Sequence, residues 1–309
     1  MIELDGVAKT FDGNILALQD VTFSVATGSV CALLGHNGAG KTTTINILST
    51  LMKPSYGKAI VAGYDVAKNP AQVRASISMT GQIAAIDWQL TGRENLVMFS
   101  RLHGMRRKDA NARADALIEQ FDLADAADRN VVTYSGGMRR RVDIAAALVV
   151  PPKVLFLDEP TTGLDPRSRR SVWDLVSSLA ADGVTVLLTT QYLEEADVLS
   201  DSIVVLNQGR VVATGTADDL KHRVGYSHCT VSPVNPADLP KIFAAVADLQ
   251  DAQVDEDSNT VSVPAPNGIA TLSEVFRRVD QLDLELADIS LRKPSLDEVF
   301  LHLTGSVTA

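Results

Sequence analysis

Residues 35–42, GHNGAGKT, constrain the fold more than any other part of the sequence. They satisfy the pattern G-x-x-x-x-G-K-[ST], follow the apolar run SVCALLG and precede the helix-like run TTTINILSTL. In that setting the glycines let successive backbone N–H groups curl around a phosphate, and the helix N-terminus adds partial positive charge. We expect Lys41 to reach the β- and γ-phosphates and the Thr42 hydroxyl to be a ligand of Mg²⁺. The alternative is a glycine-rich turn that binds nothing.

Two acidic residues follow a second apolar run, VLFL. Because Asp158 and Glu159 come directly after this run, both carboxylates should emerge at the carboxyl end of a buried strand. We expect Asp158 to hold Mg²⁺, since this cation prefers oxygen ligands and keeps part of its hydration shell. Glu159 is expected to polarise an attacking water. Without the phosphate loop upstream, a solvated turn would be the better interpretation of the pair.

The order of secondary structure predicts the fold class. From SVCALLG onward, strands alternate with helices through VLFLDEP, RSVWDLVSSLAA, VTVLLTT and LEEADVLS, which indicates a mostly parallel sheet with helices on its faces. The opening runs IELDGVAKTF and LQDVTFSV suggest an additional antiparallel layer. Residues 74–130 show mainly helical periodicity, and we place a helical insertion at about 74–140. We therefore predict an α/β fold with a mixed β-sheet and a helical subdomain.

Composition changes after residue 224, where PVNPADLP and PAPNG supply turn signals. The order of elements beyond this point is βαββαβ followed by a closing helix, the split βαβ arrangement. We predict two domains, residues 1–224 and a small α+β domain at 225–309. The second domain shows no catalytic pattern, and we expect it to stabilise a dimer or to have a regulatory role.

Charge and cysteine content exclude several classes of function. The formal net charge of −10 argues against a protein that wraps nucleic acid, because phosphate contacts need clustered Lys and Arg. The two cysteines give neither a disulfide framework nor metal-ligand spacing, which fits a reducing compartment. No window approaches 18 uninterrupted apolar residues and no export signal opens the sequence, so we expect no membrane span.

A third motif narrows the class. The stretch TYSGGMRRRVDIAAALV, residues 133–149, places a Ser-Gly-Gly loop before a long helix, and the acidic strand and TTGLDP follow. In this order the motifs resemble those of the ATP-binding cassette (ABC) ATPases, from residue 2 to about 224. The resemblance implies the P-loop NTPase fold of that family, ATP hydrolysis, and ATP with Mg²⁺ as ligands. It also implies a head-to-tail dimer in which the signature loop of one copy covers the γ-phosphate bound by the other.

The resemblance assigns roles by position. Phe11 falls where an aromatic ring stacks on adenine, with a plain strand residue as the alternative, and Asp165 in GLDP falls where the two cassettes communicate. Gln82 in MTGQ falls where a glutamine contacts Mg²⁺ and senses the membrane partner, alongside Thr42 and Asp158. The implied nucleotide-binding residues are Phe11, Gly35, His36, Asn37, Gly38, Ala39, Gly40, Lys41, Thr42 and Thr43. The implied signature residues acting in trans are Ser135, Gly136, Gly137 and Met138.

Two positions depart from the family pattern. The signature is Tyr-Ser-Gly-Gly-Met instead of Leu-Ser-Gly-Gly-Gln, which keeps the residues that meet phosphate. Gln191, just past the run VTVLLTT, stands where the family has a histidine that bonds the γ-phosphate. A glutamine amide offers two donors and an acceptor but cannot carry the charge of an imidazolium. We expect Glu159 and Gln191 to be the catalytic pair; a site that binds ATP without hydrolysing it is the alternative.

Two further stretches indicate the kind of ABC protein. LRKPSLDEVFLHLTG and LLTTQYLEEAD are similar to segments of cassette ATPases that serve ABC-2-type exporters, including those of the daunorubicin-resistance type. This resemblance implies export of a drug, lipid or natural product through a separate polytopic permease, with the chain peripheral on the cytoplasmic face of the membrane and no nucleic acid bound. The alternatives are a soluble cassette ATPase that acts on nucleic acid or ribosomes, and a small-molecule kinase, which would leave SGGM and GLDP unexplained.

Overall fold

The computed structural model describes residues 1–81, 84–224, 227–249, 251–256, 258–292 and 294–304. The chain divides into two compact units, Met1–Ala217 and Asp218–Ala309. The boundary expected from the sequence, after residue 224, lies a short way further along the chain. Where an independently folding domain begins therefore stays a prediction.

The strands form three sheets in the described residues. In chain order they are β1 (Ile2–Phe11), β2 (Ile15–Val25), β3 (Val30–Leu34), β4 (Tyr56–Val61), β5 (Tyr64–Asp65), β6 (Ile77–Thr80), β7 (Val154–Asp158), β8 (Thr185–Thr190), β9 (Ser202–Asn207), β10 (Arg210–Gly215), β11 (Ser227–Pro233), β12 (Gln253–Asp255), β13 (Thr260–Ala265) and β14 (Leu286–Arg292).

The helices fill the connections between these strands. They are α1 (Lys41–Leu48), α2 (Pro70–Arg74), α3 (Gly92–Leu102), α4 (Arg107–Gln120), α5 (Gly136–Ala147), α6 (Pro166–Ala181), α7 (Leu193–Leu199), α8 (Ala217–Val224), α9 (Leu239–Val246), α10 (Ile269–Asp280) and α11 (Leu296–Thr304). Among the described residues, no helix combines the length and the apolar character needed to span a bilayer.

The central sheet of the first unit has the strand order β10-β9-β3-β8-β7-β6. Its neighbouring strands are parallel except for the β9-β10 pair. β3, β7 and β8 are buried over their whole length. Strands of a parallel sheet are covered on both faces, which explains the unbroken apolar runs VCALL and VLFL. Because the strands are parallel, their carboxyl ends lie at one edge of the sheet.

A second, antiparallel sheet of order β2-β1-β4-β5 lies in the same unit. The pairing of β1 with β2 confirms the antiparallel layer expected from the sequence, and β4 and β5 extend it. Its apolar side chains share one core with the central sheet: Val21 and Phe23 from β2, Ile45 from α1 and Phe156 from β7 belong to a single buried cluster. This layer therefore packs against the helix that follows the phosphate loop.

Helices α3, α4 and α5 form the helical part of the first unit. Thr91 caps α3 through a reciprocal pair of hydrogen bonds, in which Glu94 N donates to its hydroxyl at 3.1 Å and its own N donates to Glu94 Oε2 at 2.8 Å. The expectation that residues 74–130 are mainly helical missed one strand, β6 (Ile77–Thr80), which pairs with β7 in parallel. Its sequence ISMT alternates apolar and polar residues, but over four residues only, the shortest run that indicates a strand.

The second unit has the sheet order β12-β13-β11-β14, with antiparallel neighbours. α9 and α10 pack on one face of this sheet, over a core that includes Cys229, Val231, Val261 and Val275. The order of these elements is the βαββαβ order expected from the sequence, and α11 follows. The fold class that we predicted is therefore confirmed in both parts of the chain.

Replacing Leu187 in β8 by alanine should lower the free energy of unfolding of the first unit by about 2–5 kcal/mol, because the side chain is fully buried and would leave a cavity. Leu102→Ala is the matched control: that leucine is 74% exposed, and we expect a change of no more than about 0.5 kcal/mol. Denaturant unfolding followed by tryptophan fluorescence measures this unit, since both tryptophans, Trp88 and Trp173, lie in it. Equal losses for the two variants would contradict the burial of β8.

Candidate functional site

The phosphate loop connects the end of β3 to the start of α1. Gly40, at the N-cap of α1, has a φ of 107°, a conformation that side chains other than glycine rarely adopt. A Cβ at this position would also lie 2.6 Å from Leu18 Cδ2 and 3.0 Å from the Ala17 carbonyl oxygen. The loop thus presses against β2, and only glycine permits both the turn and the close approach.

Lys41 is folded into this loop and is only 5% exposed. Its ammonium group donates to the carbonyl oxygens of Gly35 at 2.6 Å and His36 at 3.2 Å, and it lies 3.8 Å from Glu159 Oε1. Burial lowers the pKa of Lys41, and the charges of Glu159 and Asp158 oppose that shift. The lysine is therefore held in a compact arrangement whose acceptors are weak carbonyl groups and one carboxylate.

Asp158 ends β7 and is almost fully buried. Thr189 in β8 donates its hydroxyl to Asp158 Oδ1 at 2.5 Å, and the Thr42 hydroxyl lies 3.5 Å from Asp158 Oδ2. One carboxylate oxygen is thus fixed by the neighbouring strand, while the other points toward the phosphate loop. The sequence analysis missed Thr189; its only signal was the pair of threonines that ends the apolar run of β8.

Glu159 has an unusual backbone, with a φ of 46°, in the left-handed region. Such a conformation is strained by about 1–3 kcal/mol in a residue other than glycine and is kept only where its surroundings enforce it. Here Thr189 enforces it, because the Glu159 N–H donates to the Thr189 hydroxyl at 3.0 Å and approaches its carbonyl oxygen at 3.2 Å. Thr162 donates to Glu159 Oε2 at 3.2 Å. The turn after β7 therefore aims this carboxylate at Lys41.

A cavity of about 470 Å³ opens above these residues. Phe11, 39% exposed, lies at its wall, with the Lys9 ammonium group 5.4 Å from the ring centroid. Gly35 and Ala39 are buried beneath the loop. The other residues of the nucleotide-binding set expected from the sequence line this cavity together with Glu159: Phe11, His36, Asn37, Gly38, Gly40, Lys41, Thr42 and Thr43.

The signature loop lies outside this cavity, and its Gly136 lines a second cavity that also includes Glu159. Ser135 is exposed and caps α5, accepting a hydrogen bond from Met138 N at 3.2 Å. Gly137 packs against α6, where an added Cβ would lie 2.5 Å from Ser168 Oγ. Ser168 in turn donates its hydroxyl to Asp165 Oδ2 at 2.6 Å, and its N–H donates to Oδ1 at 3.0 Å. Ser135, Gly136, Gly137 and Met138 do not line the cavity that contains Lys41.

Two glutamines were expected at the site. Gln191 is exposed and directly follows β8, one residue beyond Thr190, whose hydroxyl accepts from Tyr192 N at 2.9 Å. It therefore leaves the sheet next to Thr189 and the acidic pair. Gln82 lies outside the described residues, so its expected role stays a prediction. The neighbouring Gly81 carbonyl oxygen accepts from Arg140 at 3.0 Å.

Buried charges behind the acidic strand were also missed. Arg140 in α5 contacts Asp143 at 3.2 Å and donates to the backbone oxygen of Asp158 at 3.4 Å. Glu195 in α7 is fully buried and accepts from Thr161 at 2.9 Å and Trp173 Nε1 at 3.1 Å. Burial raises the pKa of Glu195 and of Asp143. Charge runs such as RRR and LEEAD gave no sign of which members would be buried.

Comparison with known proteins agrees with this geometry. A family model described as ABC transporter matches residues 18–162. The doxorubicin resistance ATP-binding protein DrrA of Mycobacterium tuberculosis is 54% identical, over 99% of this chain and 94% of its own. A daunorubicin resistance ATP-binding protein, DrrA2 of Streptomyces coeruleorubidus, is 51% identical over 96% and 92%. The Nod factor export ATP-binding protein I of Rhizobium leguminosarum bv. viciae is 35% identical over 98% and 94%.

Solved structures give the same result for the fold. An ATP binding subunit of an ABC transporter superposes with a TM-score of 0.63 at 31% identity, covering 72% of this chain and 92% of its own. A dimeric ATP-binding cassette in a post-hydrolysis state, bound to ADP and Pi, gives a TM-score of 0.64 at 26% identity, covering 70% and 98%.

Fold and site together define a phosphate-loop ATPase. The relatives make the assignment specific: the chain belongs to the ABC transporter family, as an ATP-binding subunit that hydrolyses ATP. The solved cassette bound to ADP and Pi is a dimer. These relatives support a role in transport and do not favour the alternative of an ATPase acting on nucleic acid or ribosomes.

Replacing Thr189 by valine should reduce ATPase activity by about tenfold or more, because Asp158 loses a charge-assisted hydrogen bond and the Glu159 N–H loses an acceptor. Thr185→Val is the matched control, since Thr185 is equally buried at the other end of β8 and its hydroxyl accepts from Gly28 N. Steady-state ATPase and thermal unfolding of both variants separate an effect on the site from an effect on stability. Equal loss of activity in the two would contradict the positioning role of Thr189.

Proposed function

We propose that this chain powers the export of a drug-like natural product through a separate membrane permease, at the cytoplasmic face of the membrane. The observation that carries the proposal is the cluster of Lys41, Glu159, Asp158 and Thr189, of which the first two line the cavity, in a chain so similar to doxorubicin and daunorubicin resistance proteins. Drug, lipid and other natural products remain the cargo classes, because cargo would contact the permease and not this chain.

Binding of ATP begins at the phosphate loop. The Lys41 ammonium group exchanges its two carbonyl acceptors and the more distant Glu159 carboxylate for β- and γ-phosphate oxygens, which are stronger acceptors because they are charged. Backbone N–H groups of the loop and the N-terminus of α1 add to the positive electrostatic potential around the phosphates. Phe11 at the cavity wall stacks on the adenine, and the nearby Lys9 keeps the ring in place. The cavity thus binds the phosphates through charge and the adenine through ring stacking.

The donor set beside the loop fits Mg²⁺. Thr42 and Asp158 offer hard oxygen ligands, and Thr189 already satisfies the carboxylate oxygen that points away. In the described residues no group of three or more His, Cys, Asp or Glu side chains could hold a metal ion by itself, which fits an ion shared with phosphate oxygens. Gln82 is the further ligand expected from the sequence. When bound, Mg²⁺ neutralises negative charge on the phosphates.

Hydrolysis depends on Glu159 and Gln191. Once Lys41 turns to the phosphates, the Glu159 carboxylate is released from its ion pair and accepts a hydrogen bond from the attacking water, in an orientation fixed by its strained backbone. Gln191 donates to a γ-phosphate oxygen with its amide, and its carbonyl can also orient the water. The reaction is thus promoted by positioning and charge neutralisation, as in other phosphoryl transfers.

The signature loop completes the site from a second copy of the chain. Ser135 is exposed at the N-terminus of α5 and lies outside the cavity of its own chain, which supports a role toward a phosphate held by the partner. There the serine hydroxyl, the backbone N–H groups of Gly136 and Gly137 and the helix N-terminus would meet the γ-phosphate. Closure of the dimer then requires ATP, and loss of phosphate lets the copies separate.

The permease is proposed to bind at a groove between β6 and the helical part of the unit. A cavity of about 240 Å³ lies there, lined by apolar groups such as Met79 and Phe99 and by the polar side chains of Thr80, His103 and Asp143. The Thr80 hydroxyl is buried and has no hydrogen-bond partner among the described residues. Such a groove, which Gly81 also lines, is suited to transmit closure of the dimer to a helix of the permease.

Replacing Gln191 by alanine should slow ATP hydrolysis roughly 100- to 1,000-fold, the loss expected on removing one preorganised donor to the transition state. Gln120→Ala, an exposed glutamine at the end of α4, is the control and should leave the rate unchanged. The measurement is ATPase activity together with ATP-dependent accumulation of doxorubicin in inside-out vesicles that carry the chain and its permease. Unchanged rates in Gln191→Ala would remove this residue from the mechanism, and ATPase without drug accumulation would remove this cargo.

Mixing two inactive variants tests the dimer. Lys41→Ala should abolish phosphate binding in its own copy, and Ser135→Ala should disable the signature that the copy presents to its partner. Each variant alone is expected to be inactive in the assembled transporter. In mixed dimers one composite site keeps an intact Lys41 from one copy and an intact Ser135 from the other, so activity should return. The double variant, co-expressed with itself, controls for leakage; absence of recovery in the mixture would contradict the head-to-tail arrangement.

A further inference from the structure

The sheet of the second unit has two unequal edges. One edge, β12, has three residues and is flanked by Asp251 and Glu256, so a second acidic strand would be repelled there. The other edge, β14, has seven residues, and no strand in the described part of the chain pairs with its outer side. An unpaired edge of this length is a template for another strand unless its side chains prevent pairing.

Side chains of β14 alternate between the two faces of the sheet. Ile289 and Leu291 pack against the core beneath α9 and α10. Asp288, Ser290 and Arg292 lie on the opposite face, where the Ser290 hydroxyl is 3.1 Å from that of Thr230 on β11 and donates to Asp288 Oδ2 at 2.9 Å. Asp288 and Arg292 are exposed. A negative and a positive charge thus flank Ser290 at equal distances along the strand.

We propose that β14 pairs in antiparallel register with β14 of a second copy of this chain, about a two-fold axis through Ser290. In this register Asp288 of each copy lies directly opposite Arg292 of the other, and Ile289 lies opposite Leu291. Opposite charges and apolar residues placed across antiparallel strands stabilise their pairing. The symmetric arrangement uses the same surface twice, as a two-fold interface requires. The strand is therefore complementary to itself in this register.

The helix beside the edge adds apolar surface to the same interface. α10 packs on β14, β11 and β13, whereas α9 packs on β13, β11 and β12, so α10 is the helix nearer to the β14 edge. Arg278 marks the side of α10 that faces α9, because it donates to the Ala245 carbonyl oxygen and forms an ion pair with Asp248.

Two large apolar residues lie on the other side of α10. Phe276 is about 200° around the helix from Arg278, and Ile269 is on the same side as Phe276, two turns earlier. These side chains are 50% and 74% exposed. They therefore lie on the flank directed toward the β14 edge, where pairing of two copies would cover them with the equivalent residues of the partner.

The size of this surface limits the strength of the contact. One seven-residue strand and two side chains per copy form a small interface, which places the contact among the weak ones. Two copies held by one permease are, however, at high effective concentration, and a weak contact then suffices to keep them associated. This pairing needs no nucleotide. It would keep the two cassettes adjacent between cycles, while the ATP sandwich opens and closes.

Disulfide trapping tests the register in the full chain without nucleotide. Ser290→Cys places two thiols opposite each other at the two-fold axis, where the spacing of paired strands permits a disulfide. Ser262→Cys is the matched control, since Ser262 lies on the same sheet but on the interior strand β13. The native cysteines do not compete, because both are buried and burial raises the pKa of each thiol to about 11.

Under mild oxidation we expect most of the Ser290→Cys chain to become a covalent dimer, and the Ser262→Cys chain to stay monomeric. Equal crosslinking of the two, or crosslinking of Ser290→Cys only when ATP is added, would overturn the proposal. A peptide or other partner occupying this edge in place of a second copy would leave Ser290→Cys monomeric and would overturn it as well.

Charge reversal provides a second test that is independent of cysteine chemistry. Asp288→Arg and Arg292→Asp each turn two attractive pairs into two repulsive ones, so the dissociation constant of the nucleotide-free dimer, measured by sedimentation, should rise roughly tenfold or more. Mixing the two variants should restore association, because each like-charged copy then faces one of opposite sign. Failure of the mixture to associate better than either variant alone would rule out this register. The proposed ATP sandwich would be unaffected, since its residues lie in the other unit.

Discussion

Parallel pairing of β3, β8 and β7 in one register is the constraint on which the site depends. Leu34 lies opposite Thr190, and Thr189 lies opposite Asp158. The phosphate loop, the residue after β8 and the acidic pair consequently leave the sheet at the same level of the same edge. A slip of one residue in any of these strands would turn its last side chain to the other face. All three strands are buried over their whole length, and the close packing of side chains on both faces opposes such a slip.

At this edge of the sheet, the charged and polar groups around Lys41 determine how its side chain is held. Lys41 is buried with two carboxylates nearby, and its desolvation is offset by backbone carbonyl groups and by a longer contact with Glu159. A charged lysine in such surroundings gains strongly from a new anionic partner, because the interior screens charges poorly. The Thr189 hydroxyl contacts both acidic residues at once, so the positions of Asp158 and Glu159, for which we propose metal binding and water activation, are coupled through one side chain.

Much of this arrangement could be predicted from the sequence, and what could not shares a physical cause. The phosphate loop and the acidic pair were recognisable because each is a contiguous motif after an apolar run. The antiparallel layer and the βαββαβ unit followed from alternation and turn residues. β6 was missed because its alternation extends over only four residues and the segment that follows is helical. Thr189, Arg140 and Glu195 were missed because their roles arise from contacts between distant segments, and a hydroxyl or a charge in a run looks the same whether buried or solvated.

The close packing of Gly137 on Ser168 has a consequence for communication between the two halves of a transporter. The start of α5 and the start of α6 cannot slide past each other, because no space separates the glycine from the serine and the serine is bound twice by Asp165. The loop before α5 and the loop before α6 should therefore move together. In the head-to-tail dimer that we propose, a displacement of either loop would reach both clefts, and the state of one nucleotide would be transmitted to its neighbour through steric contact, without any intervening change of charge.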